Sequence, residues 1–159
     1  MGKYGNLSEI KDIQSERLSR LFDDVWKRIP PRSKGELLKR LWYVTDHDPP
    51  FYVPLSSEDT KHLYARTYCD DDLGAIFLVS ENLAELDDDE VRGVIAHELA
   101  HAYLDHPCNA HVDEQQREID ADNLAERWGF ESYGEMGYIF KMWEEKHAND
   151  TPNDTTTAQ

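Results

Sequence analysis

Apolar positions recur along the chain with two different periods, and the switches between them predict the order of elements. From about Ser8 to Ile29 the residues Ile10, Ile13, Leu18, Leu21, Phe22, Val25 and Trp26 come mostly three and four apart, which is the buried face of an amphipathic helix. Pro30-Pro31 stops it, because proline lacks the amide donor and its ring clashes with the preceding turn. A short helical piece near Gly35 to Arg40 leads into Leu41-Trp42-Tyr43-Val44-Thr45, whose aromatic and β-branched content suits a strand. Asp46 to Thr60, with three prolines, reads as a long loop. His62 to Tyr68 and Gly74 to Val79 flank the acidic turn Asp70-Asp71-Asp72 and read as a β-hairpin.

The helical period returns after Asn82. Asp87 stands three residues before Glu90, the spacing of a capping box, and the run Asp87 to Glu90 adds negative charge where a helix dipole favours it. The helix that begins at Asp87 or Asp88 runs through Val91, Val94, Ile95, Leu99 and Ala102 to Leu104 and ends before Pro107. A further helix spans about Asp113 to Trp128, with the stripe Ala121, Leu124, Ala125 and Trp128 and with Gly129 as its stop. Residues 132–147 read as a last helix, and the small, polar tail 148–159 as disordered. The expectation is one α+β domain over residues 1–147. It has an N-terminal helix, a three-stranded sheet and three further helices.

Composition narrows the partners. Seventeen basic against 33 acidic residues give a net charge of −16, and no cluster of Lys and Arg is long enough to neutralise a row of phosphates. Nucleic acid and anionic membrane surfaces are therefore not expected partners. The longest strongly apolar stretch, Ala75 to Val79, is far short of the roughly 20 residues that cross a bilayer, and the charged N-terminus lacks the core of a signal peptide. Two cysteines, Cys69 and Cys108, are too few for a disulfide framework, so free thiols and a cytoplasmic, soluble protein are expected.

The candidate chemistry sits in the helix after Asp87, where His97-Glu98-Leu99-Ala100-His101 forms an H-E-x-x-H motif. At about 100° per residue the two histidines are only about 40° apart around the helix and one turn apart along it, so both imidazoles reach one ion. Glu98 lies to the side, poorly placed as a ligand and free to act as a base. Two neutral imidazoles suit zinc, and a catalytic zinc needs a third protein ligand and an open position. The longer pattern with a third histidine on the same stretch fails, because Leu104 and Pro107 stand where Gly and His are required. The next helix offers Glu114, Glu118, Asp120 and Asp122; Glu118 and Asp122 lie beside Ala121 and Ala125, whose small side chains allow close approach. Periodicity does not separate Glu118 from Glu114.

The stretch Val94 to His106, followed by Glu118-Ile119-Asp120-Ala121-Asp122, resembles the gluzincin metallopeptidases, with their H-E-x-x-H and downstream E-x-x-A-D. The likeness covers about residues 74–129 in arrangement, and the lack of spans resembles the soluble minimal members. Small metallopeptidases that act on phage repressors or antitoxins tend to have Asn where this chain has Asp122. The resemblance implies a zincin-like fold and one zinc per chain held by His97, His101 and Glu118. It also implies Glu98 as general base to a zinc-activated water and Asp122 as the carboxylate that orients a ligand histidine. It further implies that the strand before the helix, Ala75, Ile76, Phe77, Leu78 and Val79, forms an edge that pairs with extended peptide substrate.

Tyr103, His106, His111, Tyr133 and Tyr138 are candidates for stabilising an oxyanion. His106, five residues past His101, would face elsewhere on a continuing helix and reads as a terminal cap. The rival reading is an acidic regulatory or interaction protein that uses the site as a structural zinc staple, with Cys108, His106 or His111 filling the fourth position.

Overall fold

A computed structural model describes residues 6–49, 64–70, 72–108 and 113–130, the side chains of Asp70 and Glu114 excepted. The expected helix at 132–147, the tail, and most of the loop before the hairpin lie outside the described residues. A 3₁₀ turn at Leu7–Glu9 precedes β1 (Lys11–Asp12), α1 (Glu16–Arg28), α2 (Pro31–Arg40) and β2 (Leu41–Thr45). The hairpin β3 (Ala65–Asp70) and β4 (Leu73–Leu78) comes next, followed by the short α3 (Ser80–Leu83), α4 (Asp88–Tyr103) and α5 (Glu114–Arg127).

The α+β expectation stands, with two corrections at the N-terminal end. The sheet has four strands, not three, and the first helix begins at Glu16 rather than near Ser8. Ser15 caps α1 by accepting from the Leu18 amide, while the Asp46 carboxylate takes the amides of Gln14 and Ser15 and holds the chain out of the helix. Ile10 is apolar because the turn and β1 bury it beside β2, where its carbonyl accepts from the Val44 amide at 2.8 Å, and not because it continues a helical stripe. α2 begins with Pro31 at its first position, where the missing amide costs nothing.

The strand order is β1-β2-β4-β3, with β1, β2 and β4 parallel and β3 antiparallel to β4. The expectation that Ala75 to Val79 offers a free edge fails on this topology. Ile76 pairs with Val44 on one side and with Thr67 on the other, and the Val79 amide still donates to the Tyr64 carbonyl at 2.9 Å. The outer strand on this side is β3.

α4 is buried almost all round, from Val91 through Ala102, because it packs against β3, β4, α1, α2 and α5. Its start is the expected capping box, Asp87 with Glu90. Leu18, Leu21, Phe22 and Val25 of α1 supply the apolar wall on one side, each worth about 1.5–3 kcal/mol when fully buried. Gly74 lets β4 pass the end of α2, since a Cβ there would sit 3.2 Å from the Arg40 carbonyl. Arg40 in turn donates to the Tyr103 carbonyl at the end of α4. Among the described residues no helix is long and apolar enough to cross a membrane.

The free-thiol expectation is also corrected: Cys69 and Cys108 form a disulfide. β3 runs alongside the C-terminal part of α4, so its penultimate residue and the residue after Pro107 come within 5.0 Å Cα to Cα, inside the bridging range. One bridge needs no framework, and cysteine usage therefore no longer argues for a reducing compartment.

Candidate metal centre

The site is built on the side of α4 that faces α5. His97 is fully buried, and Glu98 and His101 are 4% and 8% exposed. α5 packs across them, and Ala121 and Ala125, both buried, keep that approach close. Asp113 caps α5 by accepting from the Gln116 amide. At the other end Gly129, with φ +102°, closes a Schellman turn in which the Phe130 amide donates to the Ala125 carbonyl. Both ends of α5 are thus fixed, and Glu118 falls opposite the two histidines.

Glu118 divides its carboxylate between them. Its Oε1 lies 2.9 Å from Nε2 of His97 and its Oε2 3.1 Å from Nε2 of His101. The other nitrogen of each ring faces a different residue. Asp122 Oδ1 is 3.9 Å from His97 Nδ1, and His106 Nδ1 is 2.9 Å from His101 Nδ1. Glu98 receives the hydroxyl of Thr67, from β3, on Oε1 at 2.7 Å.

Burial sets the direction of each pKa shift, except where a partner overrides it. Burial pushes His97 down to about 4, against the pull of its bond to Glu118. His101 suffers the same burial, but the bond to Glu118 and the charges of Glu98 and Glu118 outweigh it, and its pKa is raised. For Glu118 burial acts upward, yet the bonds from His101 and His97 prevail and hold the carboxyl well below the usual range. Burial raises Glu98 in spite of His101 and the Thr67 hydroxyl, and burial beside His101 lowers His106 to about 4.

The donor set fits zinc. Ligand atoms of His97, Glu98 and His101 lie within 4.8 Å of one another, and Glu118 adds a carboxylate within hydrogen-bond distance of both rings. His97, Glu98, His101, Glu118 and Asp122 thus lie together between α4 and α5. Ala75 to Leu78 lie behind them in the interior of the sheet. Tyr103 points to a different cluster, with its ring 6.0 Å from that of Trp128 and the Arg40 guanidinium over its face. His111, Tyr133 and Tyr138 lie outside the described residues.

One neighbour escapes sequence reasoning, and a second takes a different place from those expected. Thr67 carries no signal beyond its place in a strand. His106 is a correction to the cap reading: it is 6% exposed and turned back onto His101. The readable cue was Asp105-His106-Pro107 after the helix, a place where the chain must change direction.

The family model of peptidase family M48, a zinc metallopeptidase family, matches residues 43–119. That segment runs from β2 through the hairpin and α4 to Glu118, stopping short of Asp122. The match suggests a zinc metallopeptidase. Comparison with curated proteins and with solved structures gives no match.

Proposed function

We propose that the protein is a zinc-dependent peptidase of the gluzincin type, in which His97, His101 and Glu118 hold one zinc ion and Glu98 is the general base. The observation that carries this reading is the meeting of two Nε2 atoms of one buried helix with the two oxygens of a single carboxylate from the next. Protons hold those contacts together when no cation is present, and a divalent ion exchanges with them. Glu98 suits the base better than the ligand. Its carboxylate accepts the Thr67 hydroxyl and burial raises its pKa, whereas the bonds from His101 and His97 hold that of Glu118 low.

When bound, the zinc supplies Lewis acidity toward a peptide carbonyl and toward water. Glu98 takes the proton of the attacking water and passes it to the leaving amine. Thr67 fixes the orientation of Glu98, and Asp122 steadies the ring of His97. Extended substrate adds to the outer side of β3, which has no further strand beside it among the described residues. The zinc-staple alternative has less support: Cys108 is bonded to Cys69, and His106 meets the far nitrogen of His101, turned from Glu118.

The test incubates the zinc-loaded full chain with unfolded protein and a mixture of short peptides, counting new amino groups. Cleavage that a chelator stops and zinc restores, and that Glu98→Gln loses while keeping its zinc, is the expected result. A Glu98→Gln protein as active as the parent would overturn the mechanism.

A further inference from the structure

His106 has no part in the ligand set above, yet the fold spends an unusual backbone conformation to bring it there. α4 ends in a Schellman turn: the amide of Asp105 donates to the Ala102 carbonyl at 3.1 Å and that of His106 to the His101 carbonyl at 3.0 Å. Glycine normally occupies the left-handed position of this turn, but here it is Asp105, with φ +59°. Such a turn brings the residue after the left-handed one back over the helical residue whose carbonyl it bonds, a contact that is usually hydrophobic. In this chain the two residues are His106 and His101, with ring centroids 5.1 Å apart and Nδ1 atoms 2.9 Å apart. The far side of the turn is tethered twice, by the Cys69–Cys108 bridge and by Arg117 of α5, which donates to the His106 carbonyl at 3.4 Å.

We infer that His106 is a positioning residue for the metal centre, accepting the Nδ1 proton of His101 on its own Nδ1 and so directing the Nε2 lone pair of His101 at the ion. This rests on the zinc-site reading above. A neutral imidazole that gives Nε2 to a metal must carry its proton on Nδ1, and that buried N–H needs an acceptor. For His97 the group on that side is the Asp122 carboxylate; for His101 it is a second imidazole. The groups beside the far nitrogens of the two ligand histidines therefore differ in chemistry, a carboxylate 3.9 Å from His97 Nδ1 and an imidazole 2.9 Å from His101 Nδ1.

The test measures zinc affinity by competition with a chromophoric chelator, together with thermal unfolding of the metal-free chain, for the parent, His106→Leu, His106→Asn and Glu118→Ala. Asn offers its side-chain oxygen where His106 offers Nδ1, whereas Leu fills the space without an acceptor. His106→Leu is expected to weaken zinc binding about 10–100-fold, the usual cost of losing a ligand's hydrogen-bond partner. His106→Asn should recover most of that loss, with both metal-free proteins melting close to the parent. Should His106→Leu fail to fold, His106→Ala takes its place. Parent-like affinity without the acceptor, or an Asn variant as weak as Leu, would overturn the role of His106 while leaving a Glu118-dependent zinc site intact. Affinity that falls only in step with metal-free stability would overturn it too. A parent that binds no zinc would remove the site reading, and this inference with it.

Discussion

Asp46, buried, and Glu118, half-buried, are carboxylates beside histidines, both held below the ordinary carboxylate range, and they serve opposite ends. Asp46 accepts from the backbone amides of Gln14 and Ser15 at 2.9 and 3.0 Å and from His47 Nδ1 at 3.0 Å. Burial acts against its ionisation, and these three donors override it. Two of them are main-chain groups that cannot exchange for anything, so the carboxylate is a rivet between the end of β2 and the start of α1. Glu118 has no such backbone donor in its described bonds; imidazoles meet both its oxygens, and an imidazole can give its proton up to a metal. An acid satisfied by the main chain belongs to the fold, while one satisfied by titratable side chains can trade them for an ion.

That contrast breaks if a change at one cluster gives the phenotype of the other. The largest effect belongs to the α4 site: Glu98→Gln should lower peptide hydrolysis by about 10²–10⁴-fold, the range for losing a general base, with its urea midpoint little changed. Next, Asp46→Ala leaves the amides of Gln14 and Ser15 without their acceptor. It should destabilise the chain by about 1–3 kcal/mol in urea unfolding while its zinc-loaded form cleaves at the parent rate. A large loss of activity at parent-like stability would merge the two clusters.

The smallest effect is in pH dependence. The bond to Asp46, aided by Asp12, Asp46 and Asp48 as charges, raises His47 above its ordinary 6.5 against the effect of burial. A raised folded-state pKa stabilises fully below the unfolded value and loses that contribution as pH climbs through the folded one. Stability of the parent should therefore slip from just above pH 6.5 upward, by an amount that His47→Gln removes. Asp46, lowered from 3.8, works in the other direction and loses its contribution only in acid, as pH falls through its depressed value. A parent and a His47→Gln protein with parallel profiles between pH 6 and 8 would sink this part of the contrast.

Much of the α4–α5 half was legible because its signals are local. Capping at Asp87, the stop at Gly129 and the His97–Glu98–His101 spacing each act within a few residues, and helix geometry turns that spacing into a shared face. Choosing Glu118 over Glu114 needed a resemblance, since which acid faces α4 depends on how two helices dock. The N-terminal segment misled for the converse reason: Ile10 and Ile13 fit a helical period, but Asp46, more than thirty residues away, takes the amides that a longer helix would have used. The disulfide and the sheet order likewise depend on contacts across the chain, and no spacing of Cys69 and Cys108 announces that β3 ends beside the turn after α4.

The most direct measurement is zinc per chain by elemental analysis, on protein purified without a metal-affinity tag, for the parent, Glu118→Ala and Asp46→Ala side by side. The account predicts about one zinc in the parent and in Asp46→Ala, and little in Glu118→Ala. No zinc in the parent after reconstitution, or equal zinc with and without the Glu118 carboxylate, would contradict it.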